Sequence, residues 1–148
     1  MARSDVFISY SHADAKWLKK LRPFLKPMER KGNLRSWDDT RIKPGSKWID
    51  EIKDALARTK VAVLLVSQDF LASDFITDQE LSHFLKASEK EGLTILWVLL
   101  SASTWQESPL TDFQAATDPS KPLDSMPPAK LKVELVNLAR QIREALNP

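Results

Sequence analysis

A short apolar strand that ends abruptly in hydroxyl side chains opens this sequence. Residues 6–10 form an apolar run, Ser9, Tyr10 and Ser11 supply the hydroxyls, and a helical pattern follows at once. In an open parallel α/β sheet, polar residues that end a buried strand lie at the carboxyl edge, where such sheets bind ligands. The segment therefore predicts a parallel α/β sheet with a functional site at that edge.

Strand and helix patterns alternate through the rest of the chain. Strands are predicted at residues 6–10, 34–37, 61–66 and 93–100, with a short edge strand at 113–116. Helical spacing predicts helices after Ser11, after Ser46, over residues 73–90 and from Pro128 to the end, with stops at Gly32 and Gly92. This alternation predicts a single-domain, flavodoxin-like sandwich with strand order 2-1-3-4-5 and helices on both faces.

Composition narrows the classes of function. The 148 residues suffice for one domain, and the absence of cysteine excludes disulfides, thiolate metal sites and thiol nucleophiles. With only three glycines, the chain has neither a P-loop nor a G-x-G-x-x-G fingerprint. We interpret the net charge of +2, with basic residues scattered among acids, as evidence against nucleic-acid or membrane binding. No signal peptide or membrane-length apolar run is visible, so we expect a cytoplasmic protein.

Glu80 is the strongest candidate for chemistry, with two interpretations. Ile76, Glu80 and Phe84 fall on one helical line, so a carboxylate at Glu80 would lie at the margin of a buried stripe. The structural alternative is a capping box in which Thr77 caps the helix and Glu80 is its N3 partner. The residue pattern by itself favours the structural interpretation.

Other candidates lie in loops at the predicted carboxyl edge. Asp38, Asp39 and Arg41 follow the second strand, where a functional role competes with that of a solvated charge cluster. Trp105 follows the fourth strand and offers an indole that could stack on a flat ring, although packing of the loop onto the sheet is the simpler role. His12 and His83 are not spaced as metal ligands, so no metal is expected.

Four segments in order resemble the sequence boxes of Toll/interleukin-receptor (TIR) domains. Residues 5–11 resemble box 1. The 37–46 segment, with Arg41, Pro44 and Gly45, resembles box 2, the BB loop. Residues 67–75 followed by Glu80 are similar to the segment that carries the family's catalytic glutamate. Trp105 falls where enzymatic members often have an aromatic residue. The resemblance covers nearly all of residues 1–148 and is of the bacterial type.

The resemblance implies a function. Many TIR domains cleave the nicotinamide–ribose bond of NAD+, which is a substrate rather than a cofactor, and Glu80 would be the essential carboxylate here. Phe7, Tyr10 and Trp105 would line the pocket, with Asp38 and Ser46 as weaker polar contacts. Activation would come from self-assembly through TIR–TIR contacts, with Arg41, Pro44 and Gly45 in the assembly loop. The expected setting is bacterial anti-phage defence.

The sequence allows an alternative function and differs from the family pattern at two places. A non-enzymatic scaffold or decoy would bind other TIR domains through the loop of residues 41–46. Enzymatic members often have Trp-Cys where this chain has Ile76-Thr77, and a basic residue where it has Ser11-His12. The chain would be the N-terminal piece of a longer protein with a sensor domain or partner. The sequence leaves open whether the product is ADP-ribose or a cyclic form.

Overall fold

The fold is a parallel sheet covered by helices on both faces, as the alternating pattern predicts. The computed structural model describes residues 3–32, 34–38, 48–74 and 76–148. The strands are β1 (Asp5–Ser9), β2 (Ser36–Trp37), β3 (Thr59–Val66) and β4 (Thr94–Leu99). The α-helices are α1 (Ala15–Arg30), α2 (Trp48–Arg58), α3 (Gln68–Ala72), α4 (Ser82–Lys90) and α5 (Pro128–Leu146). None of the helices in these ranges is long and apolar enough to cross a bilayer.

The sheet has the strand order β2-β1-β3-β4, and all its pairs are parallel. This confirms the first four positions of the predicted order. The fifth position is reduced to one parallel bridge between Trp97 and Ala115, so the predicted edge strand at 113–116 is wrong in extent. Three prolines at 109, 119 and 122 bound this region, and proline removes the N–H donors that a longer ladder would need.

Two apolar clusters cover the two faces of the sheet. On one face, α1 and α5 pack against alternate strand residues that include Val6, Ile8 and Val63. On the other face, residues of α2 and α4 pack against Phe7, Leu64 and their neighbours. Successive strand residues point to opposite faces, so continuous apolar strands are buried on both sides.

The helix after β3 is not the single continuous helix that was predicted. Its first part, Ile76–Leu81, is a π-helical turn, and α4 follows from Ser82. The cap is Ser73, whose Oγ accepts from Ile76 N–H at 3.2 Å, while Thr77 N–H donates to the Ser73 carbonyl at 3.0 Å. The predicted capping box with Thr77 as the cap is therefore wrong, and Glu80 is released from that structural role.

Polar groups cluster at the amino edge of the sheet, where they hold β1, β3 and α4 together. Arg3 donates to the carbonyls of Leu56 and Thr59 at 3.0 Å and to Glu91 at 2.7 Å. Burial, together with the positive charge of Arg3, lowers the pKa of His83 on α4. This edge stabilises the fold at the end opposite to the predicted site.

Candidate functional site

Glu80 is a buried carboxylate at the carboxyl edge of the sheet. Its side chain is 6% exposed, and it lies in the π-helical turn between the buried residues Ile76 and Leu81. The segment from β3 to β4 returns antiparallel to the strands, so its first turns lie at the carboxyl edge. π-helical turns are rare and occur frequently at functional sites. The turn places a glutamate where solvent cannot stabilise its charge.

Phe84 ties the helix of Glu80 to the first strand. The rings of Phe84 and Phe7 are 5.5 Å apart between centroids, at an angle of 56°. Glu80 is one turn before Phe84, and so it is nearer the carboxyl edge on the same face of the sheet. Phe7 itself is 1% exposed, so it supports the site from beneath as part of the core.

Ser9, the last residue of β1, carries a buried hydroxyl on the face that also carries Phe7. The residue is 1% exposed, and its Oγ has no hydrogen-bond partner among the described residues. Buried polar groups nearly always have partners, so a lone hydroxyl at a ligand-binding edge is an exception that needs an explanation. The sequence pattern marks the hydroxyls at the end of this strand but does not distinguish Ser9 from its neighbours.

A buried carboxylate and hydroxyl join the loops that follow β1 and β3. Ser67 donates to the carboxylate of Asp14, and both residues are at least nine-tenths buried. Ser67 Oγ also accepts from Phe70 N–H at 3.1 Å and so caps α3. Ser11 caps the turn after β1 by accepting from Ala13 N–H at 3.3 Å. Asp14 fixes the two loops to each other.

The loops after β3 and β4 are joined in a similar way. Thr104 N–H donates to the Gln68 side-chain oxygen at 2.8 Å, and Gln68 Nε2 donates to Thr104 Oγ1 at 3.1 Å. Because Thr104 immediately precedes Trp105, this pair of hydrogen bonds fixes the start of the Trp105 turn. Neither Gln68 nor Thr104 was predicted as a site residue, since neither residue type is distinctive in a loop.

Trp105 packs at the outer edge of β4. Its ring lies 5.0 Å from that of Trp97 between centroids, and both line a cavity of about 530 Å³ together with Thr111, residues 113–119 and Glu134. Glu80 is not among the residues that line this cavity. Within it, the hydrogen bonds from Ser120 lower the pKa of Asp118.

Tyr10 and Asp38 have surroundings other than those predicted. Tyr10 is 6% exposed and packs in the cluster under α1 and α5, on the face opposite to that of Phe7. Asp38 is 1% exposed, and its carboxylate accepts from Arg22 of α1 at 2.7 Å. The charge of Asp38 is therefore largely compensated within the fold. Arg41, Pro44, Gly45 and Ser46 lie outside the described residues, and their predicted roles stay predictions.

Comparison with known proteins identifies the family. The model of the family described as "TIR domain" matches residues 6–125, and the chain belongs to this family. It is 30% identical over 141 residues to the "Uncharacterized protein y4lF" of Sinorhizobium fredii (strain NBRC 101917 / NGR234). That match covers 95% of this chain and 43% of the relative, so the chain spans less than half of that protein's length.

A solved structure confirms the fold. The chain is similar to the crystal structure of the TIR domain of the Toll-related receptor TRR-2 from Hydra magnipapillata, with a TM-score of 0.59. The similarity covers 97% of this chain and 99% of that one, at 19% sequence identity. At this identity the comparison supports the α/β architecture and carries no information about activity.

Proposed function

We propose that this TIR domain cleaves the nicotinamide–ribose bond of NAD+, with Glu80 as the essential carboxylate. The observation that carries the proposal is a glutamate buried at 6% exposure at the ligand-binding edge, in a π-helical turn. A site retains such a group most readily where a cationic ligand or transition state uses the charge.

The chemistry suits one carboxylate and needs no strong general acid. Nicotinamide carries a formal positive charge in NAD+ and leaves as a neutral molecule when the bond to the ribose carbon breaks. The ribose ring then develops oxocarbenium character, as in glycoside hydrolysis. Glu80 would stabilise this positive charge in a low-dielectric site and accept hydrogen bonds from the ribose hydroxyls. Water adds to the ribose carbon and loses a proton, giving ADP-ribose, unless the adenine attacks first and gives a cyclic product.

Supporting residues surround Glu80 in this proposal. The unpartnered hydroxyl of Ser9 would bond to the substrate, which gives that buried group a role. The Gln68–Thr104 hydrogen bonds would hold Trp105 for contact with a nicotinamide or adenine ring of substrate bound between copies. Because TIR domains self-associate, we extend the proposal to a self-associating domain. We also propose that it acts in the cytoplasm, in bacterial anti-phage defence.

The test measures nicotinamide release from NAD+ by chromatography. The reaction contains the protein at high concentration together with a crowding agent. Glu80→Gln removes the charge with little change in shape, and we expect it to abolish release. Glu89→Gln, an exposed glutamate on the same helix, is the matched control and should leave release unchanged. Retained activity in a folded Glu80→Gln variant would refute the role of this carboxylate.

A second candidate function is a scaffold that binds other TIR domains through the loop of residues 41–46. The observation that favours it is the Arg22–Asp38 ion pair, which fixes to α1 a residue three positions before this segment. A loop anchored at its root loses less entropy on binding a partner. Capture of a partner TIR domain that is lost on Pro44 or Gly45 substitution, without nicotinamide release, would select the scaffold.

A further inference from the structure

The charge of this domain is strongly separated in space. Helix α1 carries six basic residues and one acidic residue, a net charge of +5, whereas the whole chain carries +2. Residues 67–82 contain four acidic residues and no lysine or arginine, a net charge of −4. The interpretation of the basic residues as scattered among acids is therefore wrong for these two segments.

The positive charge on α1 forms a ridge that faces solvent. Four exposed basic side chains lie within about 80° of one another around the helix and define the basic ridge: Lys16, Lys19, Lys26 and Arg30. No ion pair joins them to a carboxylate in the described part of the chain. Arg22, at the margin of the ridge, is the residue that pairs with Asp38. The ridge therefore presents uncompensated positive charge.

Two prolines lie on the same exposed side of α1, where they do not serve packing. Pro23 and Pro27 are both exposed, inside a helix of 16 residues. Proline in a helix interior removes a hydrogen bond and costs about 3 kcal/mol in ordinary helices. It also leaves the carbonyl four residues earlier, here those of Lys19 and Pro23, without its usual N–H donor. A local rule broken on an exposed face is typical of a functional surface.

The negative charge lies on a different part of the surface. Asp69, Asp74 and Asp78 are exposed and define the acidic segment, which follows β3 at the carboxyl edge. Helix α1 packs with α5 on the opposite face of the sheet from α4. The two charged surfaces therefore face different directions, as a contact between two molecules requires.

We propose that the basic ridge of one copy of this chain docks on the acidic segment of a second copy. Lys19 and Lys26 are two turns apart, about 10 Å along the helix axis, and Asp74 and Asp78 are four positions apart in the sequence. These spacings let long lysine side chains reach both carboxylates. A nucleic acid is a poorer partner, because it complements the basic ridge alone, whereas a second copy of the chain complements both charged surfaces.

Such a contact joins two different surfaces, and so it does not saturate in a dimer. Each copy keeps a free basic ridge at one end and a free acidic segment at the other. Heterologous contacts of this kind generate rings or open filaments. The inference does not depend on NAD+ cleavage, and its test measures assembly alone.

The experiment exploits charge reversal in the full 148-residue chain. Sedimentation velocity at about 50 mM and about 300 mM NaCl measures self-association and its screening by salt. Lys19→Glu/Lys26→Glu makes the ridge acidic, and Asp74→Lys/Asp78→Lys makes the segment basic. We expect each double variant to weaken self-association by at least about tenfold at low salt, because attraction is replaced by repulsion.

The decisive measurement is the mixture of the two double variants. Mixing pairs an acidic ridge with a basic segment, and also leaves the native pairing available, so assembly should return. Lys130→Glu/Lys132→Glu on the exposed side of α5 is the matched control for net charge and should assemble like the wild type. Circular dichroism confirms that each variant is folded.

Three outcomes would overturn the inference. The first is a mixture that stays monomeric while each variant is folded. The second is an equal loss of assembly in the α5 control, which would make the effect one of net charge. The third is a wild-type chain that stays monomeric at low salt but binds a labelled single-stranded oligonucleotide. In that outcome, the Lys19→Glu/Lys26→Glu variant no longer binds the oligonucleotide.

Discussion

Removing the hydroxyl of Ser67 should destabilise the domain through two separate effects. The hydroxyl donates to the buried carboxylate of Asp14 and accepts from the N–H of Phe70. Loss of a helix cap costs about 1 kcal/mol. A buried carboxylate that loses its donor costs a further ~1–3 kcal/mol. For Ser67→Ala we therefore expect a loss of roughly 2–4 kcal/mol in the free energy of unfolding.

Urea unfolding followed by circular dichroism measures this change directly. In a separate thermal unfolding experiment on a domain of this size, the same loss in the free energy of unfolding lowers the melting temperature by roughly 5–15 °C. Ser125→Ala is the matched control, because that hydroxyl is exposed and bonds only to the nearby Pro122 carbonyl, so its effect should stay within about 0.5 kcal/mol. The control separates the buried link from the general effect of removing a serine hydroxyl.

A double-mutant cycle with Asp14→Ala tests the reasoning more sharply. Because the two side chains bond to each other, their effects should be coupled by about 0.5–3 kcal/mol and should not add. The cap on α3 depends on Ser67 alone, so Ser67→Ala should still cost about 1 kcal/mol in the Asp14→Ala background. Strictly additive effects, or a Ser67→Ala variant as stable as the wild type, would refute the argument.

Three further predictions concern α4 and its ends. Phe84→Ala, which empties a fully buried site against Phe7, should cost about 3–5 kcal/mol in urea unfolding, and a loss below 1 kcal/mol would contradict the packing. Gly92→Ala should cost about 1 kcal/mol because φ is +74° with no neighbouring atom in the way, and Gly92→Asn should recover part of the loss. Burial and Arg3 lower the pKa of His83 in the folded state, so the unfolded state binds more protons and stability should fall as the pH drops below about 6.5. His83→Gln should flatten this fall between pH 7 and pH 5, and an unchanged pH profile in His83→Gln would count against the argument.

Local sequence signals predicted the fold well because the strands and helix ends depend on nearby residues. The apolar runs at residues 61–66 and 93–100 became the strands Thr59–Val66 and Thr94–Leu99. Gly32 and Gly92 adopt the positive φ that ends α1 and α4.

The candidate site was only partly predictable. Glu80 was singled out from its helical line with Ile76 and Phe84, but the pattern favoured a capping role that the structure assigns to Ser73. The π-helical turn shifts residues around the axis relative to an α-helix, and no simple periodicity predicts it. Asp38 was predicted from its loop position, yet Arg22 already binds its carboxylate.

The sequence by itself determined the α/β class, the first four strand positions and the family motifs, because each depends on short runs of residue types. Only the tertiary structure decided which buried groups meet. Asp14 and Ser67 are 53 positions apart, and the pairing of β1 with β3 brings their loops together. Tyr10 and Phe7 are three residues apart, yet they lie on opposite faces of the sheet. Side-chain partners depend on strand order and on the face each residue occupies, which a local pattern does not contain.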